Sequence, residues 1–161
     1  MQKMLIKVYN SKKITLAFKA VSFVSVLVTA AAFFALVISS FLQDRFSALK
    51  LVLATAIPFL AVTVFRRIVN TPRPYEVYTF YEKKPKEKKG LSFPSRHVFS
   101  TFVIAAVSIS SSIYLAIGLF LVGIALAVSR VLLGIHFIRD VIAGAVIGTI
   151  SGAIGLLTIL L

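Results

Sequence analysis

Four stretches of this chain contain no charged residue: Ala20 to Gln43, Leu51 to Phe65, Val98 to Ser129 and Val141 to Leu161. Crossing the hydrocarbon core of a bilayer takes about 20 predominantly apolar residues, so each stretch marks candidate spans. The first span is predicted over Thr15 to Leu42, with Asp44 and Arg45 as a tight polar turn behind it. The second runs from Ala48 to Val69, with Lys50 able to snorkel at one end and Arg66 and Arg67 closing the other. The uncharged run from Val98 to Ser129 decides the topology. As one helix its 32 residues would extend about 48 Å against a core of about 30 Å. Ser110-Ser111-Ser112 supplies a turn instead and divides it into spans over His97 to Ser110 and Ile113 to Leu133. A fifth span starts at Ile138. At the other end, Lys3, Lys7, Lys12 and Lys13 are interspersed with Met4, Leu5, Ile6, Val8 and Tyr9, which reads as an interfacial segment over Met1 to Lys13. The expectation is an all-α integral membrane helical bundle of about five transmembrane helices plus an N-terminal interfacial segment, forming one domain over residues 1–161.

Composition agrees, at 59% hydrophobic residues and a mean hydropathy of +0.99. The first span is too long for a signal peptide, and Phe41-Leu42-Gln43 offers no small-residue cleavage site, so it is read as retained. Cysteine is absent, which removes disulfides and thiolate metal sites. A net charge of +13 suits nucleic acid, anionic lipid or phosphate ligands. Because the basic residues are interleaved with spans and no nucleic-acid motif is present, lipid headgroups and phosphate esters are the expected partners, not nucleic acid. The connection over residues 75–93 holds the run Glu82 to Lys89, too charged to bury, and Tyr75, Tyr78, Phe80 and Tyr81 read as an aromatic interfacial belt. Gly144, Gly148, Gly152 and Gly155 recur three or four residues apart, a ridge for close helix packing.

With five spans, the end of the second, the start of the third, the end of the fourth and the start of the fifth share one membrane face. Over residues 66–140 those ends carry Arg66-x6-Arg73-Pro74, Pro94-Ser95-Arg96-His97 and Ser129-Arg130-x5-His136-x3-Asp140, which include both histidines of the chain. Cleaving a phosphate ester without a metal needs a nucleophile, a proton donor for the leaving oxygen and fixed positive charge around the phosphoryl group. His136 and Asp140 share a face if the fifth helix begins early enough, and Asp140 then accepts from one ring nitrogen; the bland alternative is a structural His-Asp cap. Ser95 and His97 stand at a helix start, where free N–H groups favour an anion, and Ser95 is also a natural N-cap. Arg66, Arg73 and Arg130 offer guanidinium forks for phosphate or, alternatively, anchor the membrane border. Arg96 reaches either a second phosphate or lipid headgroups. One motif carboxylate, Asp140, is too few for a carboxylate-rich metal shell, so neither metal nor cofactor is expected.

These motifs resemble the signature of the type 2 phosphatidic acid phosphatase (PAP2) family, K-x6-RP, PSGH and SR-x5-H-x3-D. The resemblance implies that His136 is the nucleophile and forms a phosphohistidine, oriented by Asp140. It implies that His97 protonates the leaving oxygen and later helps activate water, while Arg66, Arg73, Ser95 and Arg130 hold the phosphate. Two positions depart from the pattern: Arg66 replaces the usual Lys, and Arg96 replaces the usual Gly. The implied activity is removal of a terminal phosphate from a membrane lipid phosphate or pyrophosphate, with undecaprenyl pyrophosphate, phosphatidylglycerophosphate, phosphatidic acid and lipid A 1-phosphate all open. A phosphotransferase with the same histidine chemistry and a non-catalytic phospholipid-binding or transport protein are the alternatives. Two arguments on orientation disagree. All Lys and Arg residues except Arg45 and Lys50 fall on the motif face, which the positive-inside rule places in the cytoplasm. The resemblance implies the outer face of the cytoplasmic (inner) membrane, and that is the expectation adopted.

Overall fold

The computed structural model describes residues 2–79 and 89–160, and among them every regular element is helical. A short helix α1 (Gln2–Asn10) leads into α2 (Lys12–Gln43), followed by α3 (Arg45–Val69), a single turn α4 (Pro74–Val77), α5 (Arg96–Val107), α6 (Ile113–Leu132) and α7 (Ile138–Leu160). Among the described residues α2, α3, α6 and α7 are long and apolar enough to cross a membrane, and α5 with its 3-10 extension Ser108–Ser110 is a shorter apolar helix. The molecule is an integral membrane helical bundle with the span order read from the apolar runs.

Local chemistry sets the boundaries. Ser11 stands between α1 and α2 and its hydroxyl accepts from the Ile14 amide at 3.4 Å, while the Thr15 hydroxyl donates to the Val8 carbonyl at 2.7 Å. Asp44 ends α2 and starts α3: its carboxylate accepts from the Ser47 amide at 2.8 Å and hydroxyl at 3.0 Å. Those bonds, the amide first, hold its carboxyl below the ordinary range. Asn70, in the left-handed region with φ 39, stops α3. The expected serine turn is present, with Ser112 accepting from the Leu115 amide at 3.3 Å to begin α6.

Helix α5 with its extension reaches only about 24 Å, less than the bilayer core, because it is the centre of the bundle. Val98, Phe99, Val103, Ala105, Ala106 and Val107 are all buried, and α2, α3, α6 and α7 pack around it. The glycine ridge makes this possible on the α7 side. A Cβ at Gly144 would stand 2.7 Å from the Ser95 carbonyl oxygen, and one at Gly148 would stand 2.5 Å from that of Phe99. On the α2 side the Thr29 and Thr101 hydroxyls meet at 3.1 Å. Leu27, Phe34, Leu60, Ile142 and Ile154 point outward, as a lipid-facing surface requires.

One expectation about the 75–93 connection needs correction. The ends of the connection are packed: Tyr75, Gly90 and Ser92 are buried, and the Glu76 carboxylate accepts from the amides of Arg73 at 3.3 Å and Gly90 at 2.8 Å. Tyr75 therefore belongs to the core rather than to an interfacial belt, with the Arg73 guanidinium 6.0 Å from its ring centroid. Phe80, Tyr81 and the charges from Glu82 to Lys88 lie outside the described residues.

Candidate active site

All three motifs meet at one end of the bundle. Helix α7 begins at Ile138, too late to include His136, so the two residues do not share a helix face in the expected way. They meet through a turn. The Phe137 amide donates to Asp140 Oδ2 at 3.0 Å, as in a capping box, and this brings His136 Nδ1 to 3.6 Å from the same oxygen. Ser92, which the sequence reading passed over, joins them: its hydroxyl donates to Asp140 Oδ2 and lies 3.4 Å from His136 Nδ1. His136 is 3% exposed, and burial pushes its imidazole down to about 4, against the opposing pull of Asp140. The ring is therefore neutral at pH 7, with Nδ1 facing Asp140 and Ser92 and Nε2 on the other side.

The arginines hold the turn that carries the second motif. Arg66 donates to the carbonyls of Leu91, Ser92 and Pro94. Arg73 donates through Nε to the Gly90 carbonyl at 2.9 Å, through Nη1 to Ile135 at 3.4 Å and through Nη2 to Leu91 at 3.4 Å. A guanidinium has five donors, so each arginine keeps two N–H groups after these bonds. Arg73 is near enough to His136, Arg66 and Arg130 to interact electrostatically with each.

The polar groups left over are concentrated here. Among the described residues the buried side-chain polar atoms with no hydrogen bond are Ser95 Oγ, Arg130 Nε and Asp140 Oδ1. Ser95 occupies the N-cap position of α5 without capping it, although its amide donates to the Asp140 carbonyl at 2.8 Å. Arg139 Nε is 3.6 Å from Asp140 Oδ1, beyond hydrogen-bond range. Native proteins rarely leave buried groups unpaired, and a cluster of them marks a place where a ligand completes the set. Among the described residues no three His, Asp or Glu side chains are grouped to hold a metal.

The PAP2 superfamily model matches residues 47–160. The chain belongs to the PAP2 superfamily. The crystal structure of Aquifex aeolicus LpxE is similar to it at 27% identity and a TM-score of 0.71, covering 94% of this chain and 90% of that one. The crystal structure of a transmembrane PAP2 type phosphatidylglycerolphosphate phosphatase from Bacillus subtilis shares the fold at 20% identity and a TM-score of 0.60, covering 94% and 88%. No curated protein sequence matches the chain.

In this PAP2 chain, His97 and Arg96 open α5, and Arg96 is near enough to Arg66 to interact with it electrostatically. His97, in the first turn of α5, is half-buried and lines two cavities. One is a cavity of about 290 Å³ walled by Phe33, Phe34, Phe59, Arg96 and Ser100; the other, of about 360 Å³, is shared with Arg130, Leu133 and Ile135. The Arg96 guanidinium lies over the Phe59 ring at 5.4 Å, on the apolar side of His97. Ser92 was missed because no spacing rule connects it to the third motif; its position two residues before Pro94 was its only sequence signal.

Proposed function

We propose that this PAP2 protein is a phosphatase that removes the terminal phosphate from a membrane lipid phosphate or pyrophosphate through a phosphohistidine on His136. The observation that carries the reading is the set of buried atoms without a hydrogen bond, Ser95 Oγ, Arg130 Nε and Asp140 Oδ1, all on the motifs that also supply the neutral buried His136. Two donors among them, with the N–H groups remaining on Arg66 and Arg73, supply the charge-assisted bonds that phosphoryl oxygens require. In the proposed first step His136 Nε2 attacks phosphorus while Nδ1–H is held toward Ser92 and Asp140, which stabilise the imidazole as it acquires charge. The bond from phosphorus to the leaving oxygen breaks, and His97 gives that oxygen a proton. In the second step His97 takes a proton from water, water attacks phosphorus, and the P–N bond breaks to release phosphate and regenerate His136.

The residue set supporting this reading is His136, His97 and Asp140 for chemistry, with Ser92 as an orienting partner and Arg66, Arg73, Ser95 and Arg130 for phosphate. The reading takes the described chain as one domain in the cytoplasmic (inner) membrane with the site on the outer face. Arg66 and Arg73 are bonded to backbone carbonyls near the candidate site and Arg73 lies near Arg130, which supports reading their charge as structural or substrate-directed rather than as cytoplasmic anchoring. The test is phosphate release from a panel of lipid phosphates in detergent with a chelator present, with acid-labile, base-stable phosphoenzyme trapped from the same reaction. Turnover without EDTA sensitivity is expected. Release that depends on added acceptor lipid would instead assign a phosphotransferase, and binding with no turnover a carrier. A reporter fused after α7 reads the orientation.

A further inference from the structure

We propose that the cavity between α2 and the α6–α7 turn is a subsite for a second phosphate on the leaving-group side of the scissile one, with Lys19 and Ser22 as its ligands. The inference rests on the phosphatase reading and narrows its substrate class to lipid diphosphates. The cavity, of about 360 Å³, is lined by Lys19, Ser22, His97, Arg130, Leu133 and Ile135. Both new residues come from α2 and lie outside the 47–160 region matched by the family model.

Lys19, seven residues into α2, is exposed and also lines this cavity, so its ammonium is available to an anion bound there. The carboxylates of the described residues are engaged elsewhere, Asp44 with Ser47, Glu76 with the Arg73 and Gly90 amides, and Asp140 with His136 and Ser92. Ser22 is three residues on, on the same helix face, and buried. Among the described residues its hydroxyl does not bond back to a carbonyl four residues earlier, as those of Ser100 and Ser129 do. Arg130, itself 6% exposed, contributes a guanidinium whose Nε is unpartnered.

Geometry then assigns the occupant. The group that His97 protonates is the oxygen bridging the scissile phosphorus to the leaving group, so the next atoms of the leaving group lie against the walls that His97 shares. One wall carries Phe33, Phe34 and Phe59, with the Arg96 guanidinium stacked over the Phe59 ring; the other carries Lys19, Ser22 and Arg130 beside Phe23 and Val26. A phosphate one bond beyond the bridging oxygen matches the second wall, and a hydrocarbon chain matches the first.

The test compares farnesyl diphosphate, farnesyl monophosphate and p-nitrophenyl phosphate on the detergent-solubilised protein. Lys19→Met is expected to raise KM for the diphosphate about tenfold while KM for the two monophosphates stays within twofold, with Lys19→Arg restoring the wild-type ratio. Ser22→Ala moves the same ratio in the same direction, by less. Equal changes for all three substrates, or no change with the diphosphate, overturn the subsite. Thermal-shift titration with inorganic pyrophosphate and with phosphate reads the subsite without turnover. Lys19→Met should weaken pyrophosphate binding about tenfold and leave phosphate unaffected; equal weakening of both, or of neither, overturns the proposal. If the wild type releases no phosphate from any substrate, the phosphatase reading fails and the titration still decides the subsite.

Discussion

The two histidines of this chain occupy opposite kinds of environment. His136 is enclosed in a turn, 3% exposed, with its Nδ1 beside Asp140 and Ser92. His97 is half-buried in the first turn of α5 and faces two cavities, one lined by Arg96 and phenylalanines, the other by Lys19, Ser22 and Arg130. A nucleophile gains from a fixed tautomer and a lone pair shielded from water, whereas a proton donor must follow an oxygen that moves away. Under the proposed mechanism, that difference in burial is what divides the labour between two residues of one chemical type.

The most direct way to break the comparison is His136→Ala, which should reduce phosphate release to background on every substrate and abolish trapped phosphoenzyme, since no other described nucleophile has the same support. Normal turnover by that variant would end the proposed mechanism. His97→Ala should cost about 10²- to 10⁴-fold on a lipid phosphate and far less on p-nitrophenyl phosphate, whose leaving group needs little protonation. Matching losses on the two substrates would remove the acid role and with it the contrast.

Ser92→Ala sharpens the enclosed side. Loss of its hydrogen bond to Asp140 should lower kcat about tenfold with KM little changed, because the bond orients the nucleophile without touching substrate. A raised KM at constant kcat would place Ser92 on the substrate instead. The smallest effect concerns pH. The folded imidazole of His136 is held down to about 4, below its ordinary value of 6.5. Between these values the unfolded chain binds the proton and the folded protein does not, so stability decreases as pH falls from 6.5 toward 4. Thermal midpoints in detergent over that window should drop in the wild type and drop less in His136→Gln; parallel curves would contradict the burial of a neutral ring.

Much of the fold was legible because a membrane demands long uncharged runs. The instructive pair is α2 and the Val98–Ser129 run, each 32 residues long. The first is a single helix whose ends carry Lys12, Lys13 and Gln43, while the second is divided at Ser108–Ser112, with Ser112 capping α6. Length did not distinguish them; the serine cluster did. The site was partly legible, since the three motifs named the residues that meet at one end. The capping role allowed for Ser95 is not made, and the start of α7 after His136 replaced a helix-face pairing by a turn.

What the sequence alone determined was the set of spans and the end of the bundle at which the motifs gather, because hydrophobic runs and motif spacing are local properties read along one chain. Tertiary structure decided which polar groups come together across elements: Ser92 with Asp140, Arg66 and Arg73 with the carbonyls of residues 90 to 94, and Lys19 and Ser22 of α2 in one cavity lining with His97 and Arg130. No pattern of spacing encodes those meetings. They depend on how closely α5 approaches its neighbours, and on the α7 side glycines set that distance, through the Gly144 and Gly148 contacts with the α5 backbone.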